Sequence, residues 1–136
     1  MRSEWKAAAH EGDVMTLYRL LAAGYDIDAK DDHGQTALMV AALEGRTAAA
    51  QFLVGRGADL NHTAKFRLTA LMLAVINGRV AIVRALVDAG ADLDVRGSGA
   101  PGFHDKTALD LAVAQQRDEI AGIIRAALTR EGPAGA

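Results

Sequence analysis

By polarity alone, the chain alternates two kinds of short segment. One is almost wholly apolar, as in "TALMVAAL" from Thr36 and "TALMLAVI" from Thr69. The other is amphipathic, as in "VAIVRALVDAG", where Val80, Ile82, Val83, Leu86 and Val87 fall on or near one helical face. Within the apolar kind, Leu and Ala recur three and four apart, for example Leu38, Ala41 and Ala42, which is helical spacing. Thr36, Thr69 and Thr107 stand where a hydroxyl can cap the first free N–H groups of a helix. Gly45 and Gly78 can end a first helix with a left-handed cap, and Gly90 can close a second. The pattern predicts pairs of short helices joined by tight turns.

These pairs recur with a period of 33 residues: Thr36 returns as Thr69 and Gly45 as Gly78, and Gly24, Gly57 and Gly90 are equally spaced. From each of these last glycines to the next threonine the count is 12, 12 and then 17, so "TALDLAVAQQR" opens a fourth copy after five inserted residues. The expected copies span about 3–30, 31–63, 64–96 and 102–128, with the insertion at 97–101 and a flexible tail at 129–136. The first copy lacks its leading turn and carries Trp5 at the position of Leu38, while the last has Gln116 in place of the mid-copy glycine. Such irregular ends suit caps of a stacked array. A single helix pair cannot bury its apolar face alone, so neighbours must stack.

The stretch "DDHGQTALMVAALEGRTAAAQFLVGRGADLN" resembles the ankyrin repeat almost throughout, and the resemblance covers roughly residues 4 to 128. The pattern departs at its usual proline, which is Ala37, Ala70 and Ala108 here, and at its usual histidine, which is Met39, Met72 and Asp110. The resemblance implies an all-α solenoid of four helix-turn-helix repeats with short hairpin loops. It also implies a protein–protein interaction module that binds through its hairpin tips and the concave face of its first helices.

Composition narrows the partners. Fifteen basic and seventeen acidic residues leave a net charge of -2, which gives no general attraction to nucleic acid or to a membrane surface. Without cysteine there is no disulfide framework and no thiolate chemistry, which fits a reducing compartment. The apolar runs fall short of the roughly 18 residues that span a bilayer. Glu4, Lys6 and Glu11 interrupt the start where a secretory signal needs an apolar run, so a cytoplasmic location is expected.

"GSGAPGFHDKT", residues 97–107, invites comparison with a phosphate-binding loop, but that loop needs lysine directly after its second glycine. Phe103, His104 and Asp105 intervene, and Asp105 would repel phosphate. Ser98, His104 and Asp105 do not make a nucleophilic triad either, because all three share one inserted loop without a rigid frame. Of the four histidines, His33 and His104 share a position two copies apart, on the order of 16 to 20 Å if layers stack at 8 to 10 Å, too far to share a zinc ion. The histidines are read as hydrogen-bonding turn residues. Neither catalysis nor a cofactor nor a metal is expected. The alternative is a small-molecule-binding or enzymatic protein of the same fold, which would need a concave pocket with convergent ionisable groups of shifted pKa.

The third copy is the odd one, since "TAKFRLT" replaces "KDDHGQT". Arg67 stands where Gly34 serves the turn, and Ala64 where Asp31 could brace it. The expected protein-binding set is therefore Lys65, Phe66 and Leu68 of the third tip, Phe103, His104 and Lys106 of the fourth, and His33 of the second, with Leu43, Glu44 and Ile76 of the first helices beside them. Phe66 either folds under the insertion as cover or stands exposed with Phe103 as an apolar anchor, supported by Leu43 and Ile76, and the anchor is the reading adopted. Lys65, Arg67, Arg96 and Lys106 give this row a local basic edge. The expected partner is a protein of unspecified identity, with neither nucleic acid nor membrane, and the chain alone is expected to be a monomer.

Overall fold

The capping threonines start their helices. Thr36 Oγ1 accepts from the Met39 N–H at 3.3 Å, Thr69 from Met72 at 3.2 Å and Thr107 from Asp110 at 3.2 Å, and the Asp110 carboxylate accepts in return from the Thr107 N–H. The computed structural model describes residues 1–131, and among them the chain forms eight α-helices. They are α1 (Ser3–Glu11), α2 (Val14–Ala22), α3 (Ala37–Glu44), α4 (Thr47–Gly55), α5 (Ala70–Ile76), α6 (Val80–Asp88), α7 (Ala108–Ala114) and α8 (Asp118–Glu131). A single 3₁₀ turn, Lys65–Arg67, precedes α5. Because α8 continues to Glu131, residues 129–131 of the expected tail are helical, and the rest of it lies outside the described residues.

Consecutive helices pair antiparallel, and the pairs stack in two rows. The first helices α1, α3, α5 and α7 contact one another in that order, and so do the second helices α2, α4, α6 and α8. Between the rows runs one continuous apolar core in which Leu17, Leu38, Leu53, Leu71, Ile82, Leu86 and Ile124 are at most 1% exposed. Ala37, Ala41, Ala42, Ala49, Ala50 and Ala74 are buried among them, and their small side chains let neighbouring helices approach closely. Trp5, in the place of Leu38, is fully buried and packs on Tyr25 with ring centroids 5.1 Å apart. Side-chain oxygens also join copy to copy at the loops: the Asp28 carboxylate accepts from the Asp59 N–H and the Asn61 amide oxygen from the Asp92 N–H.

A second device ties each copy to the one before it. Arg46, Arg79 and Arg117 follow the mid-copy turn at equivalent positions, and each guanidinium donates to the carbonyl of a residue near the end of the preceding first helix: His10, Leu43 and Ile76. To get there, each arginine lies across a mid-copy glycine of the preceding copy. A Cβ on Gly45 would stand 2.8 Å from the Arg79 Cζ, and one on Gly78 would stand 2.7 Å from Arg117 Nη1. Gly45 therefore serves two constraints, its left-handed φ of 76° and the arginine above it. The first copy has Asp13 where the arginine would be, and this aspartate instead caps α2 by accepting from the Thr16 N–H. The last copy has Gln116 where the glycine would be, held at a left-handed φ of 58°. Neither outer copy carries the half of the clip that would face outward.

Candidate functional site

The hairpin tips sit together at one end of the first helices, and their construction changes from copy to copy. In the second copy Asp31 braces the turn: its Oδ1 accepts from the N–H groups of His33 and Gln35, both at 2.9 Å, and Lys6 approaches its other oxygen at 3.5 Å. Burial pushes this carboxyl up, but the hydrogen bonds from Gln35 and His33 and the Lys6 charge outweigh it and hold the group below the ordinary aspartate value. His62 bonds through Nε2 to the Gly34 carbonyl at 2.9 Å, a turn histidine of the kind expected.

Ala64 removes that brace from the third copy, and the turn adopts another geometry. Phe66 and Arg67 are both left-handed, with φ of 61° and 58°, a conformation that costs side-chain-bearing residues energy. The support comes from the insertion, whose Ser98 N–H donates to the Phe66 carbonyl at 2.8 Å. The insertion is itself a closed hairpin: Gly97 donates to Lys106, Asp105 donates to Gly97, and the His104 N–H reaches Ala100. A Cβ on Gly97 would collide with the Phe103 carbonyl oxygen. Asp105, at the position of Gly34 and Arg67, is left-handed as well. The inserted residues are thus not a free loop but the buttress of the tip before them.

Phe66 and Phe103 face each other across this joint with centroids 5.6 Å apart, and both rings are half-buried against the core. Between the two readings of Phe66, cover or exposed anchor, the structure lies in the middle: the pair packs against the insertion and leaves part of each ring to solvent. Leu68 is buried at 7% exposure, so it supports the tip from beneath and offers no surface to a partner. His33, Lys65, His104 and Lys106 are exposed. Lys65 Nζ stands over the Phe66 ring at 5.0 Å. Leu43, Glu44 and Ile76 do not join this group, because they end α3 and α5 while the tips precede those helices, a separation of roughly 10 Å along the axis. Leu43 and Ile76 are half-buried, their carbonyls occupied by Arg79 and Arg117. Glu44 is exposed and lies 3.6 Å from His10 Nδ1.

Open grooves line the mid-copy turns and the outer face of α2, away from the tips. An open groove of about 420 Å³ is lined by Met15, Thr16, Tyr18, Arg19 and Ala22, all from α2. Met15 and Tyr18 are 75% and 49% exposed, and the Arg56 guanidinium lies over both the Tyr18 and the Phe52 rings. The sequence reading missed this patch, although Met15 and Tyr18 occupy positions that are Ala48 and Gln51 in the second copy. The aspartates held below their ordinary value, Asp13, Asp31 and Asp110, are each accounted for by a cap or turn and do not converge on one cavity. No helix among the described residues is long and apolar enough to cross a membrane.

Two comparisons bear on this architecture. A family model described as ankyrin repeats, in three copies, matches residues 5–97, more than half of the chain. The fourth helix pair, α7 and α8, lies beyond that match and stacks on α5 and α6 as the earlier pairs stack on theirs. Among curated proteins no match is found.

Proposed function

Since the chain belongs to the ankyrin-repeat family, whose members are generally protein–protein interaction modules and typically not enzymes, we propose that it binds a partner protein on the joined hairpin tips of its third and fourth copies. One observation carries this reading: the two tips are joined, by the Ser98 N–H on the Phe66 carbonyl and by the Phe66–Phe103 ring contact, at positions where the backbone is strained. Phe66, Arg67 and Asp105 account for three of the four non-glycine residues with positive φ among the described residues. Strain of this kind persists only where the surroundings over-determine it, and it concentrates at binding sites. A tip that is already ordered loses little conformational entropy when a partner docks. Around the half-buried aromatic pair, the side chains of Lys65, Arg67, His104 and Lys106 are exposed and offer polar contacts at the rim.

In this role the chain acts as an adaptor or as an inhibitor that shields another protein, in the cytoplasm and as a monomer until it binds. The test is affinity capture from a native lysate with two baits, the unaltered chain and Lys65→Glu with Lys106→Glu. Recovery of one stoichiometric protein by the first bait and its loss from the second supports the site. Equal recovery by both would move the binding surface elsewhere.

A further inference from the structure

The joined tips carry an excess of basic residues that the tip beside them lacks. The segments 63–69 and 96–107 carry Lys65, Arg67, Arg96 and Lys106 against one carboxylate, Asp105. Asp105 lies 3.7 Å from Arg96 Nη1, and Arg96 also donates to the Asp105 carbonyl, so this pair is internally satisfied. Asp110, nearby, is committed to the cap of α7, while Asp94, whose backbone N–H donates to the Asp92 carboxylate, keeps its own carboxylate exposed just before Arg96. Lys65, Arg67 and Lys106 form no ion pair among the described residues, and all three are exposed. On the equivalent second tip, residues 30–36, Asp31 already holds Lys6, and the exposed Lys30 and Asp32 balance each other, so no excess of free cations stands there. In a chain whose net charge is -2, the third and fourth tips are therefore a local basic platform beside a tip of balanced charge.

We infer that the segment docked on these tips is an acidic stretch of polypeptide. Its carboxylates lie over Lys65, Arg67 and Lys106, and an apolar side chain rests on the exposed parts of Phe66 and Phe103. The inference rests on the docking site proposed above and adds the chemistry of its occupant. Because the second tip offers no comparable excess of cations, the acidic part of the segment covers the third and fourth copies. Complementarity of this kind sets orientation and association rate, and it weakens with salt as exposed charges are screened. Arginine and lysine both suit carboxylates here, Arg67 as a planar two-pronged donor and the lysines as point charges.

The experiment uses the full chain and four probes: a short synthetic peptide alternating glutamate with leucine and phenylalanine, its glutamine and lysine counterparts, and a short single strand of DNA. Affinity is read by fluorescence anisotropy and location by amide chemical shifts. The glutamate peptide is expected to bind at least about tenfold more tightly than the glutamine peptide and to weaken between low and physiological salt. It should shift amides in 64–68 and 96–106, and should lose that advantage in Lys65→Gln with Lys106→Gln. Equal binding of the glutamine peptide at the same amides would overturn the acidic chemistry while leaving the docking site in place. Tighter binding of the DNA strand at those amides would overturn the peptide class. Peptide shifts confined to other surfaces, or no binding by any probe, would overturn the docking site itself.

Discussion

Replacing Gly45 with alanine separates the two constraints that meet at that residue. The first is the left-handed φ of 76°, which costs an alanine about 1–2 kcal/mol and is partly offset by about 0.4–1 kcal/mol from the smaller freedom of the unfolded chain. The second is Arg79, whose Cζ, Nε and Nη1 would stand 2.8 to 2.9 Å from the new Cβ. The guanidinium must move, and its bond to the Leu43 carbonyl at 3.1 Å goes with it, a charged hydrogen bond worth about 1.5–3 kcal/mol. The expected total is about 2–4 kcal/mol. Gly57→Ala is the internal control, because its φ of 84° is equally left-handed but nothing lies within 4 Å of its Cβ position. That variant should lose only about 1 kcal/mol. Urea denaturation followed by far-UV circular dichroism measures both, and an Arg79→Ala background should bring Gly45→Ala down to the Gly57 value. If Gly45→Ala and Gly57→Ala differ by less than about 0.5 kcal/mol, the arginine clip contributes no net stability and the reasoning fails.

Four further outcomes follow from the same packing. Leu71, 1% exposed in the middle of the array, should cost about 2–5 kcal/mol as Leu71→Ala in the same urea assay, and a loss below about 0.5 kcal/mol would contradict its place in the core. Gln116→Gly relieves a left-handed glutamine that no following arginine overlies, and should stabilise the chain by about 0.5–1 kcal/mol in thermal melts. Phe66→Ala with Phe103→Ala removes two half-buried rings that hold the insertion, so the melting temperature should fall by several degrees; an unchanged value would show that the rings do not brace the joint. The lowered carboxyl of Asp31 favours the ionised form in the folded state, so its contribution is complete at neutral pH and is lost as pH falls below about 4. Urea midpoints taken across that range should drop less steeply in Asp31→Asn than in the unaltered chain.

Much of the architecture is legible in the residues because it is local and repeated. A threonine before an apolar run, a glycine after it and a second amphipathic run are each short-range signals, and their recurrence every 33 residues confirms them against one another. The arginine clip was legible in principle, since Arg46, Arg79 and Arg117 recur after the mid-copy turn with Asp13 at the first copy, but its meaning depends on what lies across the stack. The candidate site was read less well. Leu43 and Ile76 were grouped with the tips by repeat position, and the direction of each helix carries them to its far end. Leu68 looked like a surface residue because Gln35 and Lys106 share its position, but its apolar side chain turns inward beside Thr69. The insertion could be counted but not placed, because its decisive bond, Ser98 to Phe66, joins two separate turns.

The central claim is that a partner protein docks on the joined tips of the third and fourth copies. Amide hydrogen exchange on the chain, free and bound to its captured partner, tests this most directly. The account predicts new protection concentrated in 64–68 and 96–106, with little change in 14–22 along α2. Protection concentrated on α2 around Met15 and Tyr18, or around Glu44 and Ile76 at the far ends of the first helices, would contradict it.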